Sequence, residues 1–372
     1  MKIALIGPVY PYRGGIAQYT ARLAQVLSAR HDVEIFSFKR QYPSWLYPGR
    51  SDKDPSRKAP DIKATYSIDS LNPLTWLRTA GKIRNCHPNM LIIEWWVTFW
   101  APAFSLIACL CRRARIPIVF LIHNVLPHEK SWLHRPLAWI TLKQGGHFIV
   151  HTPTEREHLV KLIPGAIVEV CPFPVYDMLA ETDMPSLQEA RRLLHLPETA
   201  KVLLFFGIVR PYKGLIFLID ALAQLHSKIQ DLYLVIAGEF WEDKAAYEKK
   251  IESLGLSAQV HLEDRYIPNE ELGVFFRAAD LAVAPYVAGT QSAVSALALG
   301  FGTPLIVTEW SAAALDEVYR QSVREVPSGD AKALAQAILD FFQDQHNPQS
   351  FKAPPPSNNW ETLATTIERF AQ

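Results

Sequence analysis

Short β-rich runs alternate with amphipathic helical stretches along this chain, and the alternation comes in two series. Strands joined through helices pair in parallel, and a parallel sheet is covered on both faces, so its strands read as nearly continuous apolar runs. The first series predicts strands at Lys2–Ile6, Val33–Ser37, Met90–Ile93, Ile118–Ile122 and His147–His151, with a helix over Ile16–Ala29. The second predicts strands at Val202–Phe206, Leu232–Ala237, Val260–Leu262, Leu281–Ala284 and Pro304–Val307. An α/β chain of two Rossmann-like domains follows, over residues 1–172 and 173–357, with Pro172-Phe173-Pro174 as a stiffened junction. Its 372 residues exceed what one ordinary core organises. Near the end, Ala353-Pro354-Pro355-Pro356-Ser357-Asn358-Asn359 breaks structure before a final helix from Trp360 to about Phe370. Two sheets facing across a cleft are a favoured place for a ligand.

Composition closes several alternatives. A formal net charge of +1 with 20% charged residues gives no bulk basicity for nucleic acid. Cys86, Cys109, Cys111 and Cys171 form no CxxC pair and read as small buried hydrophobes in a reducing, cytoplasmic compartment. Residues Met1 to Gly7 are expected to form a short β run rather than a secretory leader. Leu91 to Leu110 imitates a membrane span, but Glu94 and Pro102 interrupt it. It is expected to be a strand, a loop and then a helix from about Ala101 into Arg112-Arg113.

Three loops carry the chemistry. Gly207-Ile208-Val209-Arg210-Pro211-Tyr212-Lys213-Gly214 leaves the end of a buried strand, where α/β proteins collect ligands. Arg210 can grip phosphate oxygens bidentately and Lys213 can act as a point charge; the bland alternative is a solvated turn. Thr290-Gln291-Ser292-Ala293 stands between a strand end and a helix expected to begin around Gln291 or Ser292. Its free N–H groups and hydroxyls suit a diphosphate, against simple N-capping by Thr290 or Ser292. The third loop ends in Gly14-Gly15, where paired glycines at a helix start let an anion approach, or merely satisfy a tight turn. The dinucleotide spacing G-x-G-x-x-G is absent. His123 ends the fourth strand and would point into the cleft, offering an imidazole to a substrate hydroxyl; a structural histidine is the alternative. The irregular stretch Arg40–Lys63 is either an acceptor-binding loop or a surface excursion.

Taken in order, these loops resemble the glycosyltransferases of family four, retaining enzymes of GT-B architecture. The likeness runs through Gly14-Gly15, Glu94-Trp95-Trp96, His123-Asn124 with Pro127-His128-Glu129, and Gly207 to Gly214. It continues through Ala237-Gly238-Glu239, Arg265-Tyr266-Ile267-Pro268, Ala279-Asp280-Leu281, Thr290-Gln291-Ser292 and Val326-Pro327-Ser328-Gly329-Asp330. The resemblance implies a nucleoside-diphosphate sugar held mainly by the second domain, with a hydroxyl acceptor presented by the first. It implies no metal and no further cofactor, because Arg210, Lys213 and a helix start would offset the leaving diphosphate's charge. The terminal helix within 358–372 would pack back on the first domain.

One departure stands out. The family usually carries two glutamates eight positions apart, and the matching positions here are Gly289 and Leu297. The Thr-Gln-Ser form resembles a subgroup without that pair. Glu239, Trp241, Glu242 and Tyr266 are candidate sugar or nucleotide contacts in its place. The expected function is transfer of a sugar to a hydroxyl acceptor in surface polysaccharide or glycolipid assembly. The rival readings are a non-catalytic nucleotide-sugar-binding subunit, or an epimerase or hydrolase of the same fold. Trp45, Tyr47 and Arg50, with Trp76 and Arg78, could bring the first domain to the inner face of a membrane carrying a lipid-linked glycan, or could pack against its own helices.

Overall fold

The computed structural model describes residues 1–57, 62–127, 131–176, 184–343 and 359–370. His128, Glu129 and the prolines at 354–356 lie outside them. The chain divides into two units. One takes in Met1–Asp54, Ala59–Pro172 and Asn358–Gln372, and the other Pro55–Lys58 and Phe173–Ser357.

The first unit is built on a parallel sheet of β1 (Lys2–Ile6), β2 (Asp32–Arg40), β3 (Ala64–Asp69), β4 (Met90–Trp95), β5 (Ile118–Ile122), β6 (His147–Val150) and β7 (Ile167–Val170). Their order is β3-β2-β1-β4-β5-β6-β7. Every residue of β4 and β5 is buried, as expected for central strands covered on both faces. Strand alternation sorts their side chains. Ala4, Ile6, Leu91, Ile93, Trp95, Phe120 and Ile122 join one apolar cluster with helices Pro73–Asn85, Ala101–Arg113 and His134–Leu142. The opposite face carries His123, which meets Tyr19 of helix Gly15–Ser28. Helix Asn359–Arg369 packs onto that same helix, with the Trp360 ring 5.0 Å from that of Tyr19 and with Leu363, Ala364 and Ile367 buried. Arg30 pairs with Glu361 at 2.6 Å and Glu368 at 3.0 Å at the rim. Those pairs are solvent-screened, so the apolar contacts carry the attachment.

The second unit repeats the plan with β8 (Lys201–Phe206), β9 (Leu232–Ala237), β10 (Val260–Glu263), β11 (Leu281–Ala284), β12 (Leu305–Thr308) and β13 (Arg324–Val326). The order is β10-β9-β8-β11-β12-β13, again parallel throughout. Helix Leu215–Leu225 buries Leu218, Ile219 and Leu222 in a core shared with Ile338 of helix Ala331–Gln343. Strand order reverses between β1 and β4 in one sheet and between β8 and β11 in the other. Loops leaving such switch points at the carboxyl ends of the strands frame a crevice.

Strands β3, β7 and β13 were not expected from the sequence. Each is an outer strand whose side chains are largely exposed or half-buried, so no continuous apolar run announces it. The membrane-like stretch resolves into β4, a single turn at Thr98–Trp100 and helix Ala101–Arg113, with the strand reaching Trp95 and enclosing Glu94. No helix among the described residues is long and apolar enough to cross a membrane.

Candidate functional site

In the second unit the loop after β8 is pinned from both sides. Gly207 N–H donates to Ala237 O at 2.8 Å, Val209 N–H to Glu239 O at 2.9 Å, and Trp241 N–H to Val209 O at 3.1 Å. On the other side, Val287 N–H donates to Tyr212 O at 2.8 Å. Two glycines make this closeness possible. A Cβ on Gly214 would stand 2.0 Å from Pro285 O, and one on Gly238 would stand 2.2 Å from Gly207 O. Both have positive φ, at 70° and 151°, so a side chain would meet both strain and collision.

The result is a convergence on Gly207. A Cβ placed there would lie 3.1 Å from Lys213 Nζ and 3.1 Å from Val294 Cγ2, so the ammonium and the first turn of helix Ala293–Gly300 flank the strand end together. Ser292 caps that helix by accepting from Ser295 N–H at 3.0 Å. Capping therefore occupies the Ser292 hydroxyl, while the N–H groups of Ala293 and Val294 have no carbonyl within the helix to reach. Arg210 lies with its guanidinium carbon 4.8 Å from the Trp241 ring centroid, and Lys213 Nζ lies 5.5 Å from that of Tyr286. The Lys213 side chain is buried, and no ion pair to it forms among the described residues. Burial first, and Arg210 second, lower its pKa to about 8. The buried Lys213 ammonium thus has no carboxylate of its own among the described residues, and the nearby Arg210 guanidinium further disfavours its charge.

The remaining candidates of this unit fall around that centre with different partners. Glu239 is buried beside the Gly207–Gly238 contact, whereas Glu242 accepts from Tyr247 Oη at 2.7 Å and is committed to it. Tyr266 stands in the loop after β10, and Thr290 and Gln291 are half-buried just before the Ser292 cap. Gly289 has φ 148°, and Leu297 is buried in the apolar side of its helix. Tyr286 was not among the expected site residues; its place one residue beyond Pro285 at a strand end is the signal that could have found it.

In the first unit, Gly14 has φ 105° with open space around its Cβ direction, so its torsion rather than crowding requires glycine. Gly15 opens helix Gly15–Ser28. The segment after β2 clamps this loop: Arg13 N–H donates to Asp52 O at 3.1 Å, Asp54 N–H to Pro11 O at 2.8 Å, and Lys53 Nζ sits 3.5 Å above the Tyr12 ring. His123 is buried, with Tyr19 edge-on at 4.8 Å and His151 at 5.5 Å. Its Nε2 is 3.4 Å from Glu94 Oε2, and burial lowers its pKa to about 3, so the ring is neutral near pH 7. A neutral imidazole can donate or accept a hydrogen bond but brings no positive charge to a leaving group. Of the aromatics expected at an interface, Trp76 is half-buried and donates to Asp69 O at 2.7 Å, and Tyr47 accepts from Arg13 Nε at 3.1 Å, whereas Trp45 is 77% exposed. A more exposed apolar surface lies elsewhere, at Trp132 (84%), Leu133, Trp139 and Ile140 on and beside helix His134–Leu142. Among the described residues no three His, Cys, Asp or Glu side chains group as a metal site would.

Comparison with known proteins agrees with this architecture. Residues 13–175 match the profile of Glycosyltransferase Family 4, and residues 200–344 match that of Glycosyl transferases group 1. D-inositol 3-phosphate glycosyltransferase 1 of Catenulispora acidiphila is 31% identical over 222 residues, covering 54% of this chain and 52% of its own. The chain thus matches about half the length of that relative. Among solved structures, Anabaena Alr3699/HepE in complex with UDP and glucose superposes with a TM-score of 0.70 at 16% identity, covering 100% of this chain and 97% of its own. Sucrose-phosphate synthase from Thermosynechococcus elongatus gives 0.67 at 19%, covering 100% and 96%. These structures share the fold, two Rossmann-like units of GT-B type. With one profile matching each unit and the fold shared throughout, the chain belongs to the group 1 glycosyltransferases of family four.

Proposed function

We propose that this protein transfers a sugar from a nucleoside-diphosphate sugar to a hydroxyl acceptor with retention of anomeric configuration. The observation that carries the reading is the buried Lys213 ammonium, set against the start of helix Ala293–Gly300 and backed by Arg210. Such a group is stabilised by an anion, and a diphosphate meets an ammonium, a guanidinium and a helix N-terminus at once. As the glycosidic bond to the diphosphate breaks, negative charge grows where these donors already point, and each well-placed donor lowers the barrier by roughly 3 kcal/mol. The departing phosphate oxygen takes the acceptor proton on the same face, and no enzyme nucleophile enters. His123 contributes a neutral hydrogen bond to a substrate hydroxyl. The cations perform the electrostatic work, so the reading needs no divalent metal. Thermal-shift titration with UDP, GDP and their sugars tests it: one nucleoside diphosphate should raise the melting temperature with concentration. No shift with any of them would overturn the reading.

The acceptor side carries a second proposal, contact with the surface of a membrane bearing a lipid-linked acceptor. Helix His134–Leu142 and the residues flanking it turn Trp132, Trp139 and Ile140 to solvent. Lys143 Nζ stands 4.0 Å over the Trp139 ring, Arg112 reaches Lys143 O at 3.3 Å, and Arg113 and Arg135 are exposed nearby in sequence on the same elements. Aromatic side chains bordered by cations suit an anionic lipid surface. Flotation with anionic vesicles should carry the wild-type protein and leave a Trp132→Ser/Trp139→Ser variant behind. Equal flotation of both would remove this assignment.

A further inference from the structure

Glu94 is a buried ionisable group for which the proposed reaction has no use, and its surroundings give it one. In the register of the first sheet Ile6 lies opposite Ile93, and Glu94 lies opposite Leu121. Gly7 therefore follows alongside Glu94, and His123, two residues past Leu121, projects from the same face. Gly7 leaves the space that Glu94 occupies: a Cβ there would be 2.7 Å from Thr20 Oγ1 and 3.3 Å from Glu94 Cδ. His123 is held from its main chain as well, its N–H donating to Trp95 O at 2.8 Å. The carboxyl and imidazole thus meet, Oε2 to Nε2 at 3.4 Å, with neither side chain exposed to solvent.

The charge state follows from the neighbours. No lysine or arginine pairs with Glu94 among the described residues, and its Oε1 has no hydrogen-bond partner there. A carboxylate in that place would leave a buried charge poorly compensated. Burial holds the Glu94 carboxyl well above the usual range, against a smaller opposing effect of the Thr20 hydroxyl, while burial holds His123 neutral. The acid proton then needs an acceptor. Thr20 Oγ1 already donates to Ile16 O at 2.9 Å and is a weak base, so the imidazole nitrogen facing Oε2 is the stronger acceptor.

We propose that Glu94 is a positioning residue held as the neutral carboxylic acid: its Oε2–H donates to Nε2 of His123 and fixes the ring with its own proton on Nδ1. His123 then offers one defined donor, Nδ1–H, in place of an equilibrium between two tautomers. This rests on the proposed reading only in giving that donor a substrate to act on; the tautomer itself is a property of the resting protein.

The test uses the full chain. Nitrogen NMR of ¹⁵N-histidine-labelled wild-type protein, with His123 assigned from the spectrum of His123→Asn, should show Nε2 unprotonated and Nδ1 protonated. Glu94→Gln retains an N–H donor toward Nε2, so it should keep the tautomer and most of the turnover. Glu94→Leu should release the tautomer and lower kcat by roughly tenfold or more through lost orientation, with nucleoside-diphosphate binding unchanged. A proton on Nε2 in the wild type would overturn the proposal, as would a folded Glu94→Gln variant as impaired as Glu94→Leu. Should His123→Asn retain full turnover, the reaction role of His123 fails while the tautomer result still decides the role of Glu94.

Discussion

Both units gather ionisable side chains at the switch point of a parallel sheet, yet they treat charge in opposite ways. Lys213 lies near Arg210 at the end of β8 with no ion pair to Lys213 among the described residues, so the second unit keeps a buried ammonium without a carboxylate of its own. Glu94, His123 and His151 cluster at the ends of β4, β5 and β6, where burial drives all three toward their neutral forms. The difference teaches what each site awaits. A buried cation kept charged is stabilised by an incoming anion, whereas buried neutral groups supply directed hydrogen bonds without attracting counter-charge.

The largest effect that could break this contrast is on turnover. Lys213→Ala and Arg210→Ala should each lower kcat by roughly a hundredfold, the scale of one lost electrostatic donor. Melting temperatures should stay near that of the wild type. Sugar-transfer assays with wild-type-like rates in both variants would remove the cationic centre from the mechanism.

Next in size is acid stability. His123 and His151 have pKa values lowered by burial from 6.5 to about 3, so the unfolded chain binds their protons first as pH falls. The stability they contribute is present above pH 6.5 and lost as pH drops toward 3. Urea unfolding at pH 7 and pH 5 should show that loss in the wild type and less of it in His151→Asn. An equal loss in both would show that His151 is not the group being titrated.

A smaller effect concerns attachment of the terminal helix. Trp360 is 4% exposed and packs on Tyr19, so Trp360→Ala should cost about 3 kcal/mol in unfolding free energy. The same change should leave nucleoside-diphosphate affinity within a factor of about two, because that binding is assigned to the other unit. A weakened affinity at full stability would blur the division of labour.

Much of this was legible in the residues, and the remainder was hidden for identifiable reasons. The central strands β1, β4, β5, β8 and β9 are buried on both faces and announce themselves as apolar runs. The outer strands β3, β7 and β13 expose much of their length and lack that signal. The strand end, the glycine and the helix start that carry Arg210, Lys213 and Ser292 were legible because they are local features. The Glu94–His123 pair was not, because it depends on the register between β4 and β5, across 29 positions of chain. Glu94 stood out as a charge interrupting the apolar stretch Leu91 to Leu110 and as part of Glu94-Trp95-Trp96, in neither case with a partner. Its partner became visible when the pleat put Leu121 opposite it and His123 on the same face.

The central claim is that the Lys213 ammonium awaits a diphosphate, and calorimetry of nucleoside-diphosphate binding tests it most directly. Near pH 8 the apo lysine is partly deprotonated. A bound anion would raise its pKa, so titrations in buffers of different ionisation enthalpy should report net proton uptake in the wild type and none in Lys213→Met, with weaker binding in the variant. Equal affinity in the two proteins with no proton uptake in either would contradict the account.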